Sequence, residues 1–130
     1  MSQWTHVNGS IRIDGIPGID NKVDIKSIRE ILGVTCRWNS PDKRWKDCSV
    51  PRGSEGSIQY KIIPAGDGMV LWTVAIWGDL RDFGPKDVKK IRVWFKKVTE
   101  KSELSIRSAI LEINVEYGKT IVLRYKEKED

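Results

Sequence analysis

Apolar and polar residues alternate with a period of two from Thr5 to Asp14: Val7, Ile11 and Ile13 fall on one side of an extended chain, and His6, Asn8, Ser10 and Arg12 on the other. This predicts a strand with one dry face and one wet face, the wet one carrying the chain's only histidine. Four mixed hydrogen-bonding groups in a row suit a ligand platform, although the solvated side of a half-buried antiparallel sheet alternates in the same way. After the turn chemistry of Gly15-Ile16-Pro17-Gly18, Asp24 is a good N-cap for a short helix that directs Ile25, Ile28, Ile31 and Leu32 to the core and stops at Gly33. Residues 34 to 52 show no period, contain Asn39-Ser40-Pro41-Asp42, and read as a long loop carrying Trp38 and Trp45.

Alternation resumes from Ser57 to Ile63, with Ile58, Tyr60 and Ile62 inward and Ser57, Gln59 and Lys61 outward. The turn-rich Pro64-Ala65-Gly66-Asp67-Gly68 joins this strand to a β-branched and aromatic run from Met69 to Trp77, which predicts a hairpin. Past Gly84-Pro85, the apolar residues Val88, Ile91, Trp94, Phe95 and Val98 recur at helical spacing, and Lys89, Lys90, Lys96 and Lys97 fill the rest of the circumference. Two final strands, Ile106 to Tyr117 and Thr120 to Tyr125, meet at the tight turn Tyr117-Gly118-Lys119. The order extends the βαββαβ pattern by one strand. The expected fold is therefore a single α+β domain over 1–130, a ferredoxin-like βαββαβ sheet with an extra C-terminal strand and two helices on one face. The other face would stay open and collect the polar sides of the strands, including Ser57, Gln59, Lys61, Thr73, Trp77, Glu112, Asn114 and Arg124.

Composition narrows the classes. A chain of 130 residues with 39% hydrophobic residues and six Trp is large enough for one core, and no apolar run approaches the roughly 20 residues of a membrane span. The first residues lack the basic and apolar segments of a secretion signal, which makes the cytoplasm the expected location. Cys36 and Cys48 are the only cysteines and have one His beside them in the whole chain, so no zinc site and no other cofactor is expected; the compartment favours two reduced thiols. The net charge is +5, and seven basic side chains against two acidic ones lie between Lys86 and Lys101. A basic helix of this kind suits an anionic partner, but a solvated helix surface has the same sequence.

Three segments could carry chemistry. The first is the strand face of His6, Asn8, Ser10 and Arg12. The second is Val50-Pro51-Arg52-Gly53-Ser54-Glu55-Gly56-Ser57, where small residues let backbone amides approach an oxygen-rich ligand while Ser54 and Ser57 offer hydroxyls and Arg52 a charge. It lacks a Walker lysine pattern and reads equally as a Gly/Ser turn. The third is Trp77-Gly78-Asp79-Leu80-Arg81-Asp82, an aromatic plane for a base followed by a guanidinium for a phosphate, or else a core Trp beside an Asp79–Arg81 pair. Trp38, Arg44 and Trp45 form a further basic-aromatic cluster. No compact catalytic set emerges: His6 and Ser10, four strand residues apart, are separated by roughly 13 Å.

Trp4-Thr5-His6-Val7-Asn8-Gly9-Ser10-Ile11-Arg12-Ile13-Asp14, Pro51-Arg52-Gly53-Ser54-Glu55-Gly56-Ser57, Trp77-Gly78-Asp79-Leu80-Arg81-Asp82 and Val115-Glu116-Tyr117-Gly118-Lys119 together resemble a family of small phage-encoded proteins of immune evasion, similar to anti-CBASS sponges. That resemblance implies a non-enzymatic protein that binds host cyclic oligonucleotide signals without cleaving them. The residues expected to bind the ligand, from the strand-face argument, are His6, Asn8, Ser10, Arg12, Arg52, Ser54, Ser57, Trp77 and Arg81. The expected partner is a cyclic oligonucleotide, with a homo-oligomer open, nucleic acid not favoured and no membrane. The alternative is a protein-binding inhibitor of a host defence nuclease or other nucleic-acid-handling enzyme, acting through the basic helix and the Trp38 to Trp45 segment.

Overall fold

Backbone pairing gathers five strands into one fully antiparallel sheet in the order β2-β3-β1-β4-β5. The computed structural model describes residues 3–14, 25–35, 48–65, 71–102 and 105–126, and the elements run β1 (Trp4–Asp14), α1 (Ile25–Leu32), β2 (Gln59–Pro64), β3 (Leu71–Arg81), α2 (Val88–Thr99), β4 (Ser105–Val115) and β5 (Thr120–Lys126). The first strand is central. It pairs over its whole length with β3 on one side and with β4 on the other. Pro64, which has no N–H to give a ladder, ends the edge strand β2.

The expected ferredoxin-like βαββαβ sheet is corrected by this arrangement. The extra C-terminal strand is part of that expectation and pairs outside β4 through the tight hairpin; the correction comes from the strand order β2-β3-β1-β4-β5 of the whole sheet, which is set by pairing between distant segments. Strand accounts for about 51% of the described residues and helix for 21%, so the molecule is mostly a five-stranded antiparallel sheet with two short helices. The hairpin turn holds Tyr117 at φ 60°, and the Gly118 N–H donates to the Val115 carbonyl at 2.9 Å.

One core binds the layers together. Val7, Ile11 and Ile13 of β1, Val74, Ile76 and Leu80 of β3, and Leu111 and Ile113 of β4 share it with Ile28 and Leu32 of α1 and with Val88, Ile91, Trp94, Phe95 and Val98 of α2. Both helices thus press on the sheet side that carries these residues. The Trp94 indole N–H donates to the Leu32 carbonyl at 2.7 Å, fastening one helix to the end of the other. The two sides of β4 change phase once: Ile106 is buried, then Ala109, Leu111, Ile113 and Val115. This is the trace of a bulge opposite Arg12 and Ile13, which turns Arg107 outward to pair with Asp14 at 3.2 Å.

Residues 48 to 50 are held beside the end of α1. Ser49 N–H and Val50 N–H both donate to the Val34 carbonyl, and the Ser49 hydroxyl accepts from the Val34 N–H at 2.6 Å. Cys48 is disulfide-bonded, which corrects the expectation of two reduced thiols. The compartment rule behind that expectation concerns redox poise, while the backbone pairing of 34 with 49 and 50 brings residue 48 close to the segment that leads to Cys36. Trp38, Arg44, Trp45, Cys36, the turn at residues 15 to 18 and the cap at Asp24 lie outside the described residues.

Candidate functional site

The sheet side away from the helices is a grid of side chains whose rows follow from the registers. One row runs Gln59, Trp77, Asn8, Glu112, Val122, and the next Lys61, Ala75, Ser10, Ile110, Arg124. Beyond it lies Ile63, Thr73, Arg12, Ser108, Lys126; on the other side of the Trp77 row lies Asp79, His6, Asn114, Thr120. Neighbours across strands stand about 5 Å apart, and successive rows about 6.6 Å apart. Asn8, Arg12, Lys61, Trp77, Asp79, Arg124 and Lys126 are exposed. Trp77 keeps 46% of its surface open in the middle of the sheet.

The grid is electrically polar along the strands. Its first end holds Asp79 and, past the end of β4, Glu116, with Glu112 one row in. Its far end holds Arg12, Lys61, Arg124 and Lys126, and no ion pair engages these four among the described residues. At the acidic end, His6 Nδ1 lies 2.6 Å from Asp79 Oδ1 and Nε2 lies 3.7 Å from Glu116 Oε2. Glu116 is itself positioned, accepting the Trp4 N–H on Oε1 at 3.0 Å. The hydrogen bond with Asp79 raises the His6 pKa above its ordinary 6.5, with the charges of Asp79 and Glu116 adding to it and burial opposing it.

The structure divides the residues expected from the sequence into two sets. His6, Asn8, Ser10, Arg12 and Trp77 share the open face, as do Asp79 and Arg81, because β3 continues to Arg81 instead of ending at Trp77. Arg81 is turned to another use: its guanidinium donates to Glu55 at 2.7 Å. The Gly/Ser loop packs against the end of β3. Ser54 N–H donates to the Arg81 carbonyl, Arg81 N–H donates to the Glu55 carbonyl, and Gly53 N–H donates to the Gly56 carbonyl. Ser54 Oγ donates to Asp82 at 2.6 Å. Ser57, expected on the outer face, is 2% exposed and bonds Ile58 and Gln59; Arg52 forms an isolated bridge with Ser57. The loop amides named here are thus spent on the protein's own backbone.

Sequence reasoning put Lys61 and Arg124 on the open face but outside the binding set, and it missed Ile63, Ile110 and Val122, each more than 40% exposed there. The phase break between Ile106 and Ala109 is the signal that could have placed Ile110 outward. Two further depressions flank α2. One, of about 560 Å³, is lined by Lys86, Lys89, Lys90 and Lys97 with Trp94 and Val50; the other, of about 310 Å³, lies between α2 and β5. Among the described residues no group of three or more His, Cys, Asp and Glu could hold a metal ion, and no helix is long and apolar enough to cross a membrane. Comparison of the chain with protein-family models, with curated proteins and with solved structures found no match.

Proposed function

We propose that the protein is a phage anti-defence binder that captures a cyclic oligonucleotide signal on its open sheet face and releases it chemically intact. The observation that carries this reading is Trp77, half exposed at the centre of the face and one to two rows from four cations that no carboxylate engages among the described residues. A base stacks on the indole, and Asn8 and Gln59 flank it in the same row to meet its polar edge. Phosphates lie on Lys61, Arg12 and Arg124, with Ser10 between them. Arg52, Ser54, Ser57 and Arg81 hold the loop against β3 and support the face from its end. Among the described residues no nucleophile makes a hydrogen-bond contact with His6, which fits retention without turnover: Ser10, roughly 13 Å away along the strand, is out of reach. The resemblance of four segments to immune-evasion proteins of phages supplies the ligand class.

Calorimetric titration against cyclic di- and trinucleotides and cyclic ADP-ribose isomers tests this, with the ligand recovered after heat denaturation. Tight binding and an intact ligand are expected. A cleaved product would make the protein an enzyme, and silence across the panel would remove the reading.

A second reading rests on α2. Val93 is 61% exposed and stands among Lys89, Lys90, Arg92, Lys96 and Lys97, an apolar centre with a cationic rim. This suits an acidic protein surface, such as that of a nucleic-acid-handling defence enzyme. A partner captured by the wild type and lost on Lys89→Glu with Lys97→Glu supports it.

A further inference from the structure

The open face is complementary to itself. Asp79, Glu112 and Glu116 occupy one end and Arg12, Lys61, Arg124 and Lys126 the other, and Trp77, Ile63, Ile110 and Val122 leave exposed apolar surface between and beside them. We propose that this face closes against the same face of a second copy, with strands antiparallel, so that the acidic end of each copy meets the basic end of the other.

Symmetry selects the geometry. Two identical faces in contact are related by a two-fold axis lying in the interface. An axis along β1 preserves strand direction and sets the acidic end of one copy, with Asp79 and Glu116, against the acidic end of the other. An axis across the strands reverses it. The second sets the acidic end of each copy against the basic end of the other, and with the axis near Gly9 it lays the Trp77 row of one copy over the row of Ala75 and Ser10 in the other. A large ring then faces a small side chain, as interdigitating sheet layers about 10 Å apart require. Five strands of about 4.8 Å spacing and some 30 Å length present on the order of 700 Å², slightly less than the roughly 800 Å² per partner of a standard interface. Area and polarity together fit a reversible, concentration-dependent dimer. This goes beyond the ligand reading and is measured without any ligand.

Sedimentation velocity over a concentration series tests it, with circular dichroism reporting that each variant is folded. Arg12→Glu with Arg124→Glu leaves Lys61 and Lys126 as the basic residues of a predominantly acidic face, and Asp79→Lys with Glu112→Lys leaves Glu116 as the acidic residue of a predominantly basic one. Each variant alone should lose at least about tenfold in dimer affinity, and an equimolar mixture of the two should recover association at or above the wild-type level. A wild type that stays monomeric at every concentration overturns the proposal. So does a dimer that neither pair of substitutions weakens, since its contact would then lie on another surface. The single reversal Lys61→Glu is a second route should either double variant fail to fold, and an unchanged dimer there counts against the proposal equally.

Discussion

At the scale of single residues, His6 and Trp77 are neighbours with different duties. His6 is bound by its own protein: Asp79 holds Nδ1, and Glu116 stands near Nε2. Because its folded pKa is raised above 6.5, the protonated ring is favoured in the folded state, so its contribution to stability is fully present below pH 6.5 and is lost as pH rises through the higher folded value. A histidine C2-proton titration should place its midpoint above 6.5, and Asp79→Asn should lower it. His6→Gln should flatten the stability change across that window. The effect is small, since the ring and its partners are largely in water. Trp77, in contrast, has open surface to offer. Trp77→Ala should weaken nucleotide binding by roughly 5- to 150-fold, the worth of one stacked base at about 1–3 kcal/mol, and leave the unfolding midpoint nearly unchanged. An equal loss of binding and of stability would instead make Trp77 a structural side chain.

At the scale of elements, what the sequence shows depends on whether a strand keeps its period. The two sides of β1 and the buried stripe of α2 are legible because neither element has an interruption. Gly78 hid the last residues of β3: it reads as a strand end, but its missing side chain admits the Ser57 carbonyl, which a Cβ there would approach to 2.7 Å. Burial of Ser57 and the fate of the Gly/Ser loop follow from that one close approach, so a segment that resembles a phosphate cradle serves as a clasp. Likewise the disulfide at Cys48 and the five-stranded sheet order arise from pairing between distant segments, which no local period encodes. Gly56 tests the clasp. It sits at φ +76°, and a Cβ there would collide with the Asp79 carbonyl oxygen. Gly56→Ala should cost about 1–3 kcal/mol in urea unfolding from strain and crowding, and free the Arg81–Glu55 pair. Reduction of the disulfide at Cys48 should lower stability by about 2–4 kcal/mol, read as a fall in the thermal midpoint of reduced against oxidised protein.

At the scale of the whole molecule, the helices have closed one side of the sheet, and the other side has two claimants. The proposed nucleotide would use Arg12, Lys61 and Arg124 for its phosphates, and the proposed second copy would use the same cations for its Asp79, Glu112 and Glu116. The two occupants therefore exclude each other, and their binding is linked: whatever free energy the ligand gains on the monomer must oppose the dimer by the same amount. Adding the tightest cyclic nucleotide of the screen should shift sedimentation from dimer to monomer, and the apparent affinity for that nucleotide should fall as protein concentration rises through the dimer range. Salt acts on both, because these charges lie in water where a Debye length of about 8 Å screens them at physiological ionic strength. A ligand that leaves the dimer intact would have to sit elsewhere, and the lysine-lined groove beside α2 is the cationic surface the dimer does not cover. Lys89→Glu with Lys97→Glu would then abolish binding where Arg12→Glu does not, so the pair of variants assigns the ligand to one side of the sheet or the other.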